Sequence, residues 1–297
     1  MLPADERPHP PGGDAGWEES WYFDFVAGDG ALGGFVRLAL RPREGQAWYW
    51  AYLAGPGRPL LVVRDHEVEL PRGRALEVRA TGLWAEITCE TPLDHWSAGL
   101  EASGVALDDP AEGWRGERGD PTPVGLDLEW HADGDPVPLD VIDGYGQASA
   151  VEGDVLIGIG IGIGAERLSV QAQGWRTHAW GRPPWDVPGW WWAGGGLADG
   201  TRVCASAPGR GWWRRGRGAA TAETAVRFAG GLDPRGVPAP ATLGEDDETG
   251  EEVALTPVGW ALVPLRPGLG VARAMCVWSR ADARGCGWWE RLVTEPA

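Results

Sequence analysis

The chain has 297 residues, which is enough for one large all-β domain or for two smaller ones. Its formal net charge is −17, with 43 acidic residues against 26 basic ones, and all the basic ones are arginine. Nucleic acids and anionic membranes bind positive surfaces, so this charge argues against both as partners.

Glycine, proline and tryptophan set the composition apart. The 47 glycines and 25 prolines are scattered among strand-like runs, which indicates many turns rather than a disordered chain. There are 20 tryptophans but only four tyrosines and four phenylalanines, so indole is the main aromatic group available to fill a core or line a cavity.

Cysteine spacing and hydropathy suggest where the protein resides. The cysteines form no CxxC pair, which argues against a zinc site and against a dense disulfide framework. The N-terminus lacks the apolar core of a signal peptide, and no stretch reaches the roughly 18 apolar residues of a membrane span. We therefore expect a cytoplasmic protein with reduced thiols and no membrane insertion, either a monomer or a homodimer.

Strand-like alternation begins directly after residues 1–16, which are predicted to be a flexible lead-in. In WYFDFV, Trp21, Phe23 and Phe25 share one face and the residues between them share the other, the period of two typical of a strand. Similar short runs follow, separated by turns, which favours an antiparallel sandwich or barrel. The predicted strands of this half are 21–26, 35–40, 47–53, 60–70, 75–81, 83–90 and 125–130.

Helix is almost absent from the prediction. Residues 99–113 are expected to form a short helix at most, and 110–123 a loop. A second series of strands begins near Tyr145, and a proline-rich acidic loop is expected at 231–252. The predicted strands of this half are 145–152, 154–163, 167–174, 188–197, 201–207, 222–229, 252–263, 269–279 and 285–294.

Two low-complexity runs suggest ligand sites only weakly. GIGIGIG at 158–164 keeps a strict period of two and precedes a strand-like run, unlike the GxGxxG that opens a helix in dinucleotide-binding folds. It is predicted to be a strand whose bare face allows either tight packing or a ligand floor. EDDETGEE at 245–252 is interpreted as a solvated loop, because metal-binding carboxylates need a rigid element to aim them.

The tryptophan clusters carry more information. In WWW, Trp190 and Trp192 point to one side of a strand and Trp191 to the other, and the pairs at 212–213 and 288–289 split similarly. Indoles lining a barrel would form a deep apolar cavity suited to a polyene, terpenoid or polyketide. Their faces also stabilise cations by about 0.5–2 kcal/mol each, which favours carbocation chemistry. The alternative is that these rings simply fill a large β core.

Familiar catalytic and metal motifs are missing. The five histidines form neither HxH nor HExxH, and no GxSxG marks a serine nucleophile. Nothing local supports a cysteine nucleophile. We therefore expect no metal and no cofactor.

The stretch GWRTHAWG resembles a motif of the lipocalin-like family that includes carotenoid 1,2-hydratase (hydroxyneurosporene synthase). There, a glycine is followed after one residue by Arg-Asp-His-Ser-Trp-Gly, and the matching residues here include Gly174, Arg176, His178 and Trp180. ESWYFDF, RDHEVELP, the Tyr145 turn and GCGWWE also resemble the family in order, over residues 17–293.

The resemblance implies an all-β fold of two consecutive lipocalin-like antiparallel β-barrels, at 17–143 and 144–297. Tocopherol cyclase and several pericyclic cyclases are similar in architecture. The family's known activities are hydration of isoprenoid double bonds and ring closure, on hydrophobic molecules held in a barrel or between barrels.

Two positions depart from the family motif. Thr177 replaces its aspartate and Ala179 replaces its serine. A hydratase needs an acid to protonate an alkene carbon, and a carboxyl buried against tryptophan could hold its proton near neutral pH. Thr177 cannot, so Asp186, Asp143 and Glu290 are candidate substitutes, and His178 could act as acid or base.

Three hypotheses remain open. The first is a cofactor-independent enzyme, a cyclase or hydratase, that acts on a hydrophobic isoprenoid or polyketide. The second is a non-catalytic binding protein for such a molecule, and the third is a scaffold with filled barrels. A structural role for the motif is also open, with Arg176 paired to a buried carboxylate and Trp180 closing the barrel end.

The enzyme hypothesis assigns residues to two roles. The predicted catalytic residues are His178, Arg176, Asp186 and Glu290. The predicted substrate-binding residues are Trp21, Trp50, Tyr145, Trp180, Trp185, Trp190, Trp192 and Trp288.

Overall fold

The computed structural model describes residues 1–73, 75–158, 165–216, 221–245 and 252–295. These residues form nineteen strands and three short 3-10 helices, so the all-β prediction is confirmed. The glycine run at 159–164 and most of the acidic run, 246–251, lie outside the described residues.

The strands fall into two groups along the chain. The first group is β1 (Glu18–Ala27), β2 (Gly33–Arg41), β3 (Gln46–Ala54), β4 (Leu60–Glu69), β5 (Leu76–Ala80), β6 (Leu83–Thr91), β7 (His95–Leu107), β8 (Asp120–Ala132), β9 (Val137–Pro138), β10 (Asp143–Ile157) and β11 (Glu166–Gly181). The second group is β12 (Trp191–Leu197), β13 (Arg202–Ser206), β14 (Arg210–Arg214), β15 (Ala222–Ala229), β16 (Ala241–Glu245), β17 (Glu252–Arg266), β18 (Leu269–Arg280) and β19 (Ala283–Thr294). The 3-10 helices are Pro3–Glu6, Pro110–Arg115 and Pro184–Asp186.

The first group forms an antiparallel sheet in the order β4-β3-β2-β1-β11-β10-β8-β7-β6-β5. An additional pairing of β4 with β7 joins the sheet back to itself, so that eight of its strands form a ring. The hairpin of β5 and β6 extends this ring at β7. Trp21, Phe23, Trp96 and Trp130 belong to the packed core of this ring.

The second group closes into an eight-stranded antiparallel barrel, from β12 to β19 in sequence order. Its interior is filled by side chains that include Trp213, Trp278 and Trp289, none of which exposes more than 1% of its surface. The opposite faces of β18 and β19 point towards the first sheet, because side chains alternate along a strand.

The chain passes from the first hydrogen-bonded sheet to the second later than residue 143, where the sequence suggested a division between the two barrels. Both β10 and β11 belong to the first sheet, and β11 pairs with β1 through Trp21↔His178 and Tyr22↔Thr177. The strand carrying the motif therefore closes the first barrel and is not part of the second. Sequence alternation cannot detect this, since sheet membership depends on which distant strand supplies the hydrogen bonds.

The structure also corrects several predicted elements. Residues 95–107 form strand β7, where a short helix was predicted over 99–113, and only a 3-10 turn follows it. Strand β8 begins at Asp120, inside the predicted loop 110–123. The predicted strand 145–152 and residues 154–157 of the predicted strand 154–163 belong to one continuous strand, β10, in which Gly153 has a φ of 135°, and residues 159–163 lie outside the described residues.

Gly174 shows why the motif begins with glycine. A Cβ added at this residue would lie 1.9 Å from the carbonyl oxygen of Asp24 on β1. Only glycine allows such a close approach of two backbones without displacing one of them. The glycine therefore fixes how β11 lies against β1 and which side chains of β11 face the second barrel.

Candidate functional site

A pocket lies between the two barrels, outside the interior of both. Its walls come from β1, β2, β3 and β11 of the first sheet, from β12, β17, β18 and β19 of the second barrel, and from the segments around residues 139–142 and 183–190. The cavity volume is about 100 Å³. Four tryptophans line it: Trp50, Trp185, Trp190 and Trp192.

Of the motif residues on β11, only the two that differ from the motif of the resembled family face this pocket. Thr177 and Ala179 line the cavity, whereas Arg176 and His178 point to the opposite face of β11. Thr177 pairs with Tyr22 on β1, which also lines the cavity. The two positions at which the motif of the resembled family has aspartate and serine are therefore the ones that face the pocket.

Buried charges form the polar part of the pocket wall. Arg273 on β18 forms an ion pair with Glu290 on β19, and these side chains expose 5% and 9% of their surfaces. Arg273 also donates a hydrogen bond to the hydroxyl oxygen of Tyr22. The Tyr22 hydroxyl in turn donates to Asp24 over 2.7 Å. A chain of contacts thus runs from Glu290 in the pocket to Asp24 on β1.

Burial raises the pKa values of the two acids, Glu290 and Asp24. Desolvation raises the pKa of Glu290, and the opposing charge of Arg273 offsets only part of that increase. Desolvation also raises the pKa of Asp24 to about 7, against the lowering effects of Arg273, of the Tyr22 hydroxyl and of the Trp175 backbone N–H. The pocket therefore has a carboxyl, Glu290, whose pKa is raised above its ordinary value, which is a feature of groups that transfer protons.

Arginine stacking keeps the aromatic walls in place. The Arg273 guanidinium lies 4.5 Å from the ring centre of Tyr22 and 4.4 Å from that of Phe35. On the other wall, the Arg37 guanidinium lies 4.7 Å from the Trp50 ring centre and forms an ion pair with Glu18. Each contact pairs a cation with a π face, which fixes ring orientation without filling the cavity.

The opposite face of β11 is closed by the N-terminal segment. His178 Nε2 lies 2.9 Å from Glu19 Oε1, and His9 Nδ1 lies 2.8 Å from the same oxygen. His9 stacks on Trp180 with ring centres 3.7 Å apart, and Trp21 stacks on His178 at 4.5 Å. Burial lowers the pKa of His178, so a neutral imidazole is favoured.

Arg176 lies in the same closed region. It donates to Glu6 over 2.8 Å and to the amide oxygen of Gln147 over 2.9 Å. The Tyr145 hydroxyl donates to Glu6 as well. Burial raises the pKa of Glu6, but the charge and hydrogen bonds of Arg176 outweigh it and leave the pKa lowered. Arg176 thus has a buried carboxylate partner, as the structural hypothesis for the motif described.

Ten of the predicted site residues therefore fall into two groups. Those that line the pocket together are Glu290, Trp50, Trp185, Trp190 and Trp192. Those that lie on the closed side of the first barrel are Arg176, His178, Tyr145, Trp21 and Trp180.

The remaining predicted residues stand apart from both groups. Trp288 is fully buried between the barrels and donates from its indole N–H to the carbonyl of Phe25 over 3.1 Å. Asp186 is about half exposed and forms ion pairs with Arg182 and Arg266, which lower its pKa, so it stays a carboxylate. Asp143 is an exposed residue at the start of β10. Neither aspartate lines the pocket.

Sequence reasoning missed several residues of the polar wall. Arg37, Tyr22 and Arg273 were not singled out, nor was Asp24, which supports Tyr22. A signal existed at β1, since Tyr22 and Asp24 share the face opposite Trp21, Phe23 and Phe25. That face would ordinarily meet solvent, and only the second barrel covers it.

The fold and pocket define a class: all-β proteins with two packed barrel units and a small-molecule-sized cavity between them. The chain belongs to the DUF7064 family, a domain of unknown function whose profile matches residues 2–293. No curated protein matches the chain.

Solved structures share this fold. A protein from Nitrosomonas europaea provisionally named AttH is similar with a TM-score of 0.63 at 13% identity, over 100% of this chain and 97% of that one. CghA is similar with a TM-score of 0.55 at 12% identity, over 94% of this chain and 88% of its own. CghA with Sch210972 gives 0.56 at 12% identity, over 94% and 89%. At these identities the similarity establishes the architecture alone.

Among the described residues, no helix is long and apolar enough to cross a membrane.

Proposed function

We propose that this chain is an enzyme, independent of any cofactor, that closes a ring or adds water at a C=C bond of a hydrophobic isoprenoid or polyketide. The observation that carries the proposal is Glu290, a buried carboxyl with a raised pKa in a pocket lined by four tryptophans. The resemblance of GWRTHAWG to a hydratase and cyclase family points to the same substrates.

The chemistry follows from the placement of charge. The Glu290 carboxyl gives its proton to one alkene carbon, which leaves a carboxylate next to Arg273 and a carbocation on the other carbon. Indole faces stabilise that cation by about 0.5–2 kcal/mol each. In hydration, water adds to the cation and loses a proton to Glu290. In cyclisation, a second double bond of the substrate attacks the cation, and the new cation loses a C–H proton to the Glu290 carboxylate, which restores the acid.

The cavity of about 100 Å³ is smaller than a whole polyene. An engineered cavity of roughly 150 Å³ holds a benzene ring, so this pocket must widen before it accommodates even a ring-sized part of a substrate. Trp185 and its neighbours in the 183–190 segment contribute to the wall, and this short connection between the barrels is the part of the wall that would move for a larger ligand. Shape, as well as acid, then contributes to catalysis.

A D₂O experiment tests the proposal. The full chain is incubated with geraniol, farnesol or geranylgeraniol in D₂O, and products are analysed by mass spectrometry. We expect the wild type to give products with deuterium bound to carbon. A cyclisation product has the mass of the substrate apart from this deuterium exchange, whereas a hydration product is heavier by one water. Glu290→Gln keeps the shape of the side chain but loses the acid, so it should incorporate no deuterium on carbon.

His178→Gln serves as the matched control. It changes a motif residue on the closed face of β11, away from the pocket, and the glutamine amide N–H still donates to Glu19. The variant should therefore retain turnover. Deuterium incorporation by Glu290→Gln at the wild-type rate would contradict the proposed role of Glu290.

A non-catalytic binding protein is the second candidate. It is favoured by Thr177 and Ala179, which leave the pocket side of the motif strand without an acid. Native mass spectrometry of chain extracted from its host distinguishes the two candidates. A hydrophobic ligand that leaves with unchanged mass from both wild type and Glu290→Gln would support the binding protein.

A further inference from the structure

Four titratable side chains converge on the outer face of the first barrel, on strands β7, β8 and β10. His95 lies directly opposite His131 in the β7–β8 ladder, and Glu129 lies directly opposite Glu152 in the β8–β10 ladder. Since Glu129 and His131 are two residues apart on β8, all four side chains share one face of the sheet. Trp96 and Trp130, next to the two histidines, point into the core.

Their donor atoms point at one another. His95 Nε2 lies 3.2 Å from Glu129 Oε2, and His131 Nε2 lies 3.4 Å from the same oxygen. His131 Nε2 also lies 3.5 Å from Glu152 Oε1. The two imidazole rings stack with centres 4.3 Å apart, which holds both Nε2 atoms on the same side.

The two Nε2 atoms are buried, yet neither makes a hydrogen bond among the described residues. Buried polar atoms normally have a partner, so this pair needs an explanation. The other His/Glu group provides a contrast. There, Glu19 accepts from the His9 ring at 2.8 Å, from the His9 backbone N–H at 2.9 Å, and contacts His178 Nε2 at 2.9 Å, so the ring atoms that face Glu19 are hydrogen-bonded, and only His178 Nδ1, on the far side of its ring, has no partner among the described residues.

We propose that His95, Glu129 and His131 form a binding site for a divalent transition metal ion, with Zn²⁺ as the best match and Glu152 next to His131. Tetrahedral Zn²⁺ with bonds of about 2.0–2.1 Å separates its ligand atoms by about 3.3 Å. Here Glu129 Oε2 lies 3.2 and 3.4 Å from the two Nε2 atoms, and the three ligand atoms all lie within 4.8 Å of one another. Imidazole with carboxylate suits Zn²⁺ or Cu²⁺, whereas Mg²⁺ and Ca²⁺ prefer oxygen ligands throughout.

The ligands lie on the paired strands β7 and β8, and Glu152 lies on β10, which pairs with β8. Gln171 on β11 donates to Glu152 Oε2 at 3.3 Å, which leaves Oε1 to face His131. An ion held here would connect β7 and β8 on the side of the barrel away from the pocket, and it would therefore stabilise the folded chain. Binding requires neutral imidazoles, so affinity should fall in acid.

Zn²⁺ titration of the untagged, EDTA-treated full chain tests the proposal, by calorimetry and by the shift in unfolding temperature. We expect the wild type to bind Zn²⁺ and to melt at a higher temperature with it, and Mg²⁺ to have no such effect. His131→Ala removes a ligand and should weaken Zn²⁺ binding about tenfold or more. His95→Gln is the second variant, should His131→Ala fold poorly.

Two controls separate this site from others. Glu101→Gln removes an exposed carboxylate further along the same face of β7, and His9→Gln breaks the other His/Glu group, so both should bind Zn²⁺ like the wild type. The proposal is overturned if the wild type shows no Zn²⁺ binding, if His95 and His131 variants bind as tightly as the wild type, or if binding is lost in His9→Gln instead.

Discussion

The two faces of β11 differ completely although they share a backbone. On one face, Arg176 and His178 are buried against carboxylates from the N-terminal segment and β1. On the other, Thr177 and Ala179 line a cavity. The recognisable residues of the motif thus hold the first barrel closed, and the less conspicuous residues between them face the space where a ligand can bind.

The carboxylates on the two sides differ in the same way. Glu6 meets Arg176, Tyr145 and a backbone N–H, so its pKa is lowered and it stays charged. Glu290 is buried with Arg273 as its main partner, so its pKa is raised. A charge with many hydrogen bonds stabilises a fold, whereas a carboxyl with few is available for proton transfer.

The largest expected effect is on stability, from Arg176→Met. This change leaves the Glu6 carboxylate buried without its cation, which should lower the free energy of unfolding by about 3–5 kcal/mol. Urea unfolding measures it. Arg58→Met is the matched control, because its ion pair with Glu166 is exposed and should contribute at most about 1 kcal/mol. Equal losses in the two variants would mean that the closed face is not held by this ion pair.

The second prediction concerns pH and the pocket side. The pKa of Asp24 is about 7 in the folded chain against an ordinary 3.8, so over this range the folded state keeps a proton that the unfolded state has lost. The contribution of Asp24 to stability should therefore fall as pH rises from about 4 to about 7, by at most about 1.4 kcal/mol per pH unit, and then level off.

Asp24→Asn should reduce that slope. Glu290 shifts in the same direction, whereas the lowered pKa values of His66 and His178 make stability rise with pH, so the difference between wild type and variant isolates Asp24. Urea unfolding across this pH range measures both proteins. A slope unaffected by the substitution would show that Asp24 does not hold a proton in the folded state.

The smallest expected effect is on ligand binding, at Thr177. Thr177→Asp places a carboxylate against the apolar wall, whereas Thr177→Asn adds a side chain of the same shape without charge. The affinity for the neutral fluorescent probe N-phenyl-1-naphthylamine should be lower for the Asp variant by roughly a factor of ten, since about 1.4 kcal/mol of desolvation corresponds to that ratio. Equal affinities at neutral pH would place residue 177 outside the binding site.

Much of the fold could be predicted from local patterns. Period-two alternation of residue types located most strands, such as β6, where burial alternates as well, and β1, where both faces are buried in the structure. The pattern failed over β7, where alanine, glycine and serine blur the alternation, and a short helix was expected. It also failed to assign β11 to the first sheet, since the pairing with β1 joins residues more than 140 positions apart.

The candidate site was predictable only in part. Trp50, Trp185, Trp190, Trp192 and Glu290 were chosen by residue type and resemblance, and they do meet in one pocket. His178 and Arg176 were chosen on the same grounds and lie on the other face of the sheet. Tyr22, Asp24 and Arg273 were missed, because their role depends on a second barrel packing over a face that looks solvent-exposed in the sequence.

The sequence by itself determined the fold class, the strand periodicity and the membership of a family, since these rest on local spacing and on residue identity. It also placed Thr177 and His178 on opposite faces, because neighbours on a strand always diverge. Only the tertiary structure decided which face became the pocket. That choice depends on where the N-terminal segment and the second barrel pack, and these contacts join residues that no local pattern relates.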